Sequence, residues 1–174
     1  MNVVNTVSQF NINNVFLLDI KQNIIMDGSF TKIIYSNECF TILGIFLILP
    51  KFNYIIEKNS KNNLLRFNNE NYFFNNLIKI ETQILEFYKK TTGCSKQSIC
   101  LLKEQISAKC FKLYLNHQKF ENRTPCRKFE MEQNSILSNN DSIILKISGI
   151  WENYNSIGIT FKIILGFNGK NLQN

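Results

Sequence analysis

Apolar and β-branched residues alternate with polar ones in the first part of the chain, in runs that turn residues separate. The runs span residues 15–20, 30–35 and 40–49, and Asp27-Gly28 is a turn signal between the first two. A shorter run at 64–67 is a candidate fourth strand. The pattern therefore predicts three strands, with a candidate fourth, before residue 68.

A helical stripe follows at residues 70–91. Apolar residues recur there at spacings of three and four positions, from Phe73 to Tyr88. Asn69 is suited to cap the start of a helix, and Gly93 is suited to end it. The pattern predicts one long amphipathic helix.

Alternation returns at 106–115, 143–151 and 157–165. Residues 152–156 connect the last two runs, which predicts an antiparallel hairpin. Residues 118–140 follow no regular pattern, and there is neither an internal repeat nor a long linker. We therefore expect a single α+β domain over residues 1–174, with a mainly antiparallel sheet and one long helix packed on it.

Successive residues of a strand point to opposite faces, so the faces of the last strands can be separated from the sequence. The apolar residues at odd positions from 143 to 165, with Gly149 and Trp151 among them, predict a core face. The even-numbered positions point to the opposite face and include Lys146 and Lys162. In the run before the hairpin, the even-numbered positions hold Cys110, Lys112 and Tyr114. We therefore predict that Lys112, Lys146 and Lys162 project from one face.

Charge adds to this picture through its distribution. The net charge is +7, and residues 103–128 contain seven basic residues against Glu104 and Glu121. These basic residues could simply form a solvated surface without a binding role, because Lys and Arg are mostly exposed in any protein. In residues 119–129, however, cations interleave with aromatic residues, as in segments that neutralise phosphates and stack on bases.

The candidate residues for nucleic-acid binding come from the polar face of the predicted strands, from the basic and aromatic residues of 103–129, and from the end of the hairpin. Trp151 is the only tryptophan, and at a hairpin end such a residue is more often a core or rim residue than a stacking platform. The full set is Lys109, Lys112, Tyr114, Lys119, Arg123, Arg127, Lys128, Phe129, Lys146, Trp151, Tyr154 and Lys162.

Signals of catalysis are weak. Cys110, His117 and Cys126 lack the close paired spacing of zinc ligands, and no phosphate-binding glycine loop is present. We expect no catalytic residue, no metal and no cofactor, and hence a protein that is not an enzyme.

The N-terminus lacks the features of a secretory signal, and the apolar run at 39–50 is too short to span a membrane. Five cysteines, an odd number, indicate reduced thiols. We expect a cytoplasmic protein without a membrane partner.

The hairpin also suggests a family. Residues 147–152 (Ile-Ser-Gly-Ile-Trp-Glu) and 157–162 (Ile-Gly-Ile-Thr-Phe-Lys) resemble the C-terminal segment of small proteins encoded by large DNA viruses and by the cytoplasmic linear (killer) plasmids of yeasts. Within that group the chain looks most like the plasmid-encoded single-stranded DNA-binding proteins. Abundant Asn, Ile, Lys, Phe and Tyr, which A/T-only codons can encode, fit such AT-rich genomes.

The resemblance implies a protein that coats the single strand displaced during replication, with replication proteins of the same element as further partners. A homo-oligomer is compatible with it.

Two architectures that bind single strands fit the order of elements. One is an oligonucleotide-binding (OB) barrel, and the other is the PC4 or Whirly type, in which four strands precede a helix. A non-enzymatic accessory or structural subunit of a viral-type replication, transcription or packaging complex is the alternative function.

Overall fold

The computed structural model describes residues 4–22, 27–58, 63–68, 72–113 and 142–166. They form a mixed α+β fold with a large, mostly antiparallel sheet and two helices. This confirms the predicted α+β class. Neither of the helices in these ranges is long and apolar enough to cross a membrane.

Seven strands precede the long helix in the described ranges, and the predicted ones are among them. The run predicted at 40–49 divides at Gly44, whose φ is +90° and whose N–H donates to the carbonyl of Ile33 at 2.7 Å. A Cβ at Gly44 would lie 2.8 Å from the carbonyl oxygen of Ile147, so only glycine fits this bend without a shift of backbone. The strands are β1 (Asn5–Thr6), β2 (Val15–Gln22), β3 (Ser29–Ser36), β4 (Thr41–Leu43), β5 (Ile45–Ile48), β6 (Tyr54–Lys58) and β7 (Asn63–Phe67).

The long helix, α1, spans Tyr72–Thr92, as the apolar stripe predicts. Its buried side includes Phe73, Leu77 and Ile84, and Gly93 follows its last residue with a φ of +71°. Gly93 therefore ends the helix in the left-handed conformation, as expected. Asn69, the predicted cap, lies outside the described residues.

A second helix was not predicted. The chain after α1 forms β8 (Gln97–Ile99), α2 (Leu101–Ser107) and β9 (Cys110–Leu113), so the strand predicted at 106–115 is wrong at its start. The fully buried carboxylate of Glu81 in α1 accepts the N–H groups of Leu102 at 3.0 Å and Lys103 at 2.9 Å. Because helix N-termini need such acceptors, this tertiary contact stabilises α2 where the strand-like alternation favours β structure.

The predicted hairpin is confirmed and lies at the centre of the sheet. Its strands are β10 (Ser142–Glu152) and β11 (Ser156–Gly166). In the connection, the side-chain oxygen of Asn153 accepts the N–H groups of Asn155 at 3.0 Å and Ser156 at 2.7 Å. This Asx-type turn fixes the register of the two strands.

The main path of the sheet runs β1-β5-β10-β11-β9-β7-β6. β3 pairs with β2, β4 and one end of β10, and β8 pairs with β11. One face of the sheet packs against α1 in a core whose fully buried members include Leu65, Leu145 and Leu77. α2 packs on α1 through the contact with Glu81. Both helices therefore lie on one side, and we call the opposite side the outer face.

Candidate nucleic-acid interface

A bulge in β10 decides which side chains reach the outer face. The pairing of β10 with β11 skips one residue, Ser148. Because directly paired residues share a face, Gly149 and Trp151 lie on the same side as Lys162. The prediction that Gly149 and Trp151 belong to the core face is therefore wrong, and the core position beyond the bulge is occupied by Ile150, which is 1% exposed.

Three lysines form a row across adjacent central strands. Lys146 of β10 pairs directly with Lys162 of β11. β9 continues the row, because its parallel pairing of Leu113 with Ile163 places Lys112 beside Lys162. The prediction that the three lysines share a face is confirmed. We call Lys112, Lys146 and Lys162 the lysine row.

The row lies between apolar neighbours on the same face. Phe46 pairs with Lys146, whose Nζ lies 5.0 Å from the centroid of the phenyl ring, within the range of a cation–π contact. Leu64 pairs with Lys112 at the other end. Lys112 and Lys162 are exposed and Lys146 is half-buried. The ammonium groups can therefore reach a ligand that lies on the sheet.

Further cations extend this surface along the strands. Lys32 of β3 pairs with Gly149, and Lys21 of β2 pairs with Phe30. Both lysines are exposed. We call the part of the outer face that is marked by these two lysines and the lysine row the lysine face. At its far edge, Glu57 is bound to Arg66 at 2.7 Å, so this carboxylate already has a cation as its partner.

Two aromatic rings lie over glycines at one end of the lysine face. Trp151 pairs with Gly158, and a Cβ at Gly158 would lie 2.5 Å from Cζ2 and 2.7 Å from Cε2 of the indole. Phe30 pairs with Trp151 on the other side, and a Cβ at Gly149 would lie 2.6 Å from the Cζ atom of Phe30. Each ring therefore occupies the space in which a neighbouring side chain would otherwise stand.

No family model, curated protein or solved structure matches this chain. The interpretation of the lysine face therefore depends on its own geometry and chemistry. The likeness of the hairpin to plasmid-encoded proteins stays a prediction.

The structure brings together some of the sequence-predicted site residues. Lys112, Lys146, Lys162 and Trp151 share the outer face. Lys109 is exposed in the turn before β9 with a φ of +52°, and Tyr154, 90% exposed, lies in the turn of the hairpin, so neither belongs to the row. The others lie outside the described residues, and they are Tyr114, Lys119, Arg123, Arg127, Lys128 and Phe129.

Sequence reasoning missed several members of this surface. Phe30 and Lys32 are two positions apart in β3 and therefore point to the same face, which the sequence itself shows. What the sequence does not show is that β3 pairs with the end of β10, which places these residues beside Gly149 and Trp151. Lys21 and Phe46 were missed for the same reason.

Behind the aromatic end, a polar cluster on the helix side fixes the hairpin. The carboxylate of Glu152 accepts a 2.6 Å hydrogen bond from the hydroxyl of Tyr88 and binds Lys96 at 2.7 Å. Lys96 and Tyr88 together hold the pKa of Glu152 below its ordinary value. Burial, followed by the bond to Glu152, raises the pKa of Tyr88 to about 12. The carboxylate of Glu152 and the hydroxyl of Tyr88 therefore keep their charge states near neutral pH, which suits a structural contact.

Among the described residues, no three His, Cys, Asp or Glu side chains cluster as metal ligands would. Of Cys110, His117 and Cys126, whose spacing was compared with that of zinc ligands, only Cys110 is described. It lies on the outer face where β9 pairs with β7. His117 and Cys126 fall outside the described ranges.

Proposed function

We propose that this protein binds single-stranded DNA without sequence preference, through the lysine face. The observation that carries the proposal is the direct pairing of Lys146 with Lys162 and the position of Lys112 beside them. Ammonium groups at adjacent positions of neighbouring strands can neutralise successive phosphates of one nucleic-acid strand.

The shape of the row favours an extended polyanion over a small anion. Neighbouring strands are about 4.8 Å apart, so the three lysines span roughly 10 Å across the sheet. Lys32 and Lys21 extend the positive charge along the strands. A continuous line of phosphates can contact several of these groups at once, whereas a single phosphate reaches one or two.

The proposed role is to coat single strands displaced during replication of a linear plasmid or viral-type genome. The resemblance of the hairpin to plasmid-encoded single-stranded DNA-binding proteins supports this role, as does the net charge of +7. We include replication proteins of the same element among its partners. No reaction and no cofactor is assigned to the protein. An OB-like barrel and a PC4/Whirly-like sheet are the two architectures that belong to this proposal.

A salt titration with oligo(dT) tests the proposal. Each phosphate contact with a single strand contributes about 0.7 to the slope of log affinity against log salt, so the lysine row alone predicts a slope of about −2. Mixed-sequence single strands of the same length should bind with similar affinity and slope. Failure to bind oligo(dT) at low salt, or an affinity that salt does not change, would contradict the proposal.

A second candidate is an accessory or structural subunit of a larger replication, transcription or packaging complex. It is favoured by an exposed apolar row on the same face, in which Ile34 pairs with Phe16 and Leu43. Phe16 is 52% and Leu43 is 53% exposed, and such patches often mark protein contacts. This candidate predicts little affinity for bare oligo(dT), so the same titration separates the two functions.

A further inference from the structure

The two long central strands each carry a glycine on the outer face, Gly149 in β10 and Gly158 in β11. Glycine inside a strand weakens it, because it adds backbone entropy to the unfolded chain and offers no side chain for packing. Such a glycine often marks a place where another group approaches the backbone closely. Here the indole of Trp151 approaches Gly158, whereas the carbonyl oxygen of Thr31 and the ring of Phe30 approach Gly149.

The contact atoms show how the indole lies. A Cβ on Gly158 would point away from the sheet and would meet Cζ2, Cε2 and Nε1 of Trp151 at 2.5, 2.7 and 2.9 Å. These three consecutive atoms belong to the six-membered ring, the ring junction and the five-membered ring. The indole therefore lies against the backbone of the neighbouring strand, and Trp151 is half-buried.

Phe30, which is half-buried, adds a second ring at the same end of the outer face. Its Cζ and Cε1 atoms lie 2.6 and 3.0 Å from a Cβ on Gly149, so the tip of its ring covers that glycine. Trp151 and Phe30 are direct cross-strand partners. Together they form what we call the aromatic platform.

Cations and a hydroxyl connect the aromatic platform to the lysine row. Gly149 pairs with Lys32 of β3 on one side and with Thr160 of β11 on the other. Lys162 is the next residue of β11 on the same face. From Gly158 to Lys162 the distance along β11 is roughly 13 Å. A strand that places its phosphates on the lysines therefore passes within reach of both rings.

We infer that Trp151 and Phe30 are a base-stacking site, which makes the lysine face selective for unpaired bases. This inference rests on the proposed function and adds the group that is recognised. A single strand can turn the face of a base onto the aromatic platform, whereas the base faces in a duplex are covered by neighbouring pairs. Stacking tolerates every base, since each has a π-face.

The experiment compares oligo(dT) with an abasic oligonucleotide of the same length, which has the phosphates without the bases. Because Trp151 is the only tryptophan, its fluorescence reports directly on stacking. Oligo(dT) is expected to quench it and to bind at least about tenfold more tightly than the abasic strand, a factor that corresponds to about 1.4 kcal/mol. The abasic strand is expected to leave the fluorescence nearly unchanged.

Variants locate the effect, with affinities measured by anisotropy of labelled strands. Trp151→Leu and Phe30→Leu are each expected to weaken oligo(dT) binding while leaving abasic binding unchanged. Trp151→Phe keeps a ring over Gly158 and should retain part of the preference, which protects the test against a folding defect in the leucine variant. The matched control is Tyr72→Leu, which removes an aromatic residue that is 79% exposed on α1, and it should change neither affinity.

The results separate the inference from the proposed function. If oligo(dT) and the abasic strand bind equally well, and the ring variants change neither, then the rings only fill the space over the glycines and the inference is wrong. In that case salt-dependent binding would still support the proposed function. If neither strand binds at low salt, the proposed function itself is wrong.

Discussion

The hydroxyl of Tyr88 in α1 donates a 2.6 Å hydrogen bond to the carboxylate of Glu152 at the end of β10. Glu152 directly follows Trp151, and its side chain points to the helix side whereas the indole lies on the outer face. The bond therefore fixes the part of β10 that holds the aromatic platform in place. Lys96 binds the other carboxylate oxygen and completes the anchor.

Removal of the Tyr88 hydroxyl tests this anchor. Tyr88→Phe is expected to lower the free energy of unfolding by about 1–2 kcal/mol, because a hydrogen bond to a charged group is lost while Glu152 keeps Lys96. Urea unfolding measures the change. Tyr72→Phe, at an exposed position of the same helix, should cost almost nothing. Equal stability of the Tyr88 variant and the wild type would show that the bond contributes little.

The same contact predicts a pH dependence. The bonds from Lys96 and Tyr88 keep the pKa of Glu152 in the folded protein below its ordinary value of 4.5. The ionised carboxylate therefore adds stability that is complete above the ordinary pKa and is lost as the pH falls through the lowered one. Glu152→Gln should be less stable than the wild type near neutral pH, and the difference should shrink in acid. A difference that is constant over this range would rule out the linkage.

The charge at the middle of the lysine row gives another prediction. Lys162→Glu places a carboxylate between Lys146 and Lys112, where it repels a phosphate group and attracts the neighbouring ammonium groups. We expect this variant to bind oligo(dT) far more weakly than the wild type, as measured by anisotropy, with urea unfolding as the control for the fold. Wild-type affinity in a folded variant would remove Lys162 from the interface.

The basic segment beyond β9 provides an independent prediction. Combined replacement of Arg123, Arg127 and Lys128 by alanine is expected to flatten the salt slope by about 2 and to weaken binding to every sequence alike. Stability should change by no more than about 0.5 kcal/mol, because Arg and Lys side chains are mostly exposed in proteins. A variant that folds normally and keeps the wild-type slope would remove this segment from the interface.

Local patterns in the sequence predict the long helix, the central hairpin and the shared face of the three lysines. They do not predict the bulge at Ser148, because an extra residue in a strand leaves no mark in an alternation of similar residues, and so the face of Trp151 was assigned wrongly. The helix α2 depends on Glu81, a residue about 20 positions away. The nearness of Phe30 to Trp151 likewise follows from a pairing between distant strands. In each of these cases a tertiary contact decides the local outcome.

We expect the lysine face, and not positive charge in general, to bind the phosphate backbone. Two double variants with the same loss of charge test it. Lys112→Ala with Lys162→Ala removes two members of the lysine row, whereas Lys79→Ala with Lys90→Ala removes two exposed lysines from α1 on the other side of the sheet. Urea unfolding of each variant controls for the fold.

The decisive measurement is the salt slope of oligo(dT) affinity for these two variants and the wild type. Loss of two phosphate contacts should reduce the steepness of the slope by about 1.4 for the variant in the lysine row. The α1 variant should keep a slope close to that of the wild type. Equal slopes for the two variants, both folded, would show that binding depends on net charge alone and not on the lysine face.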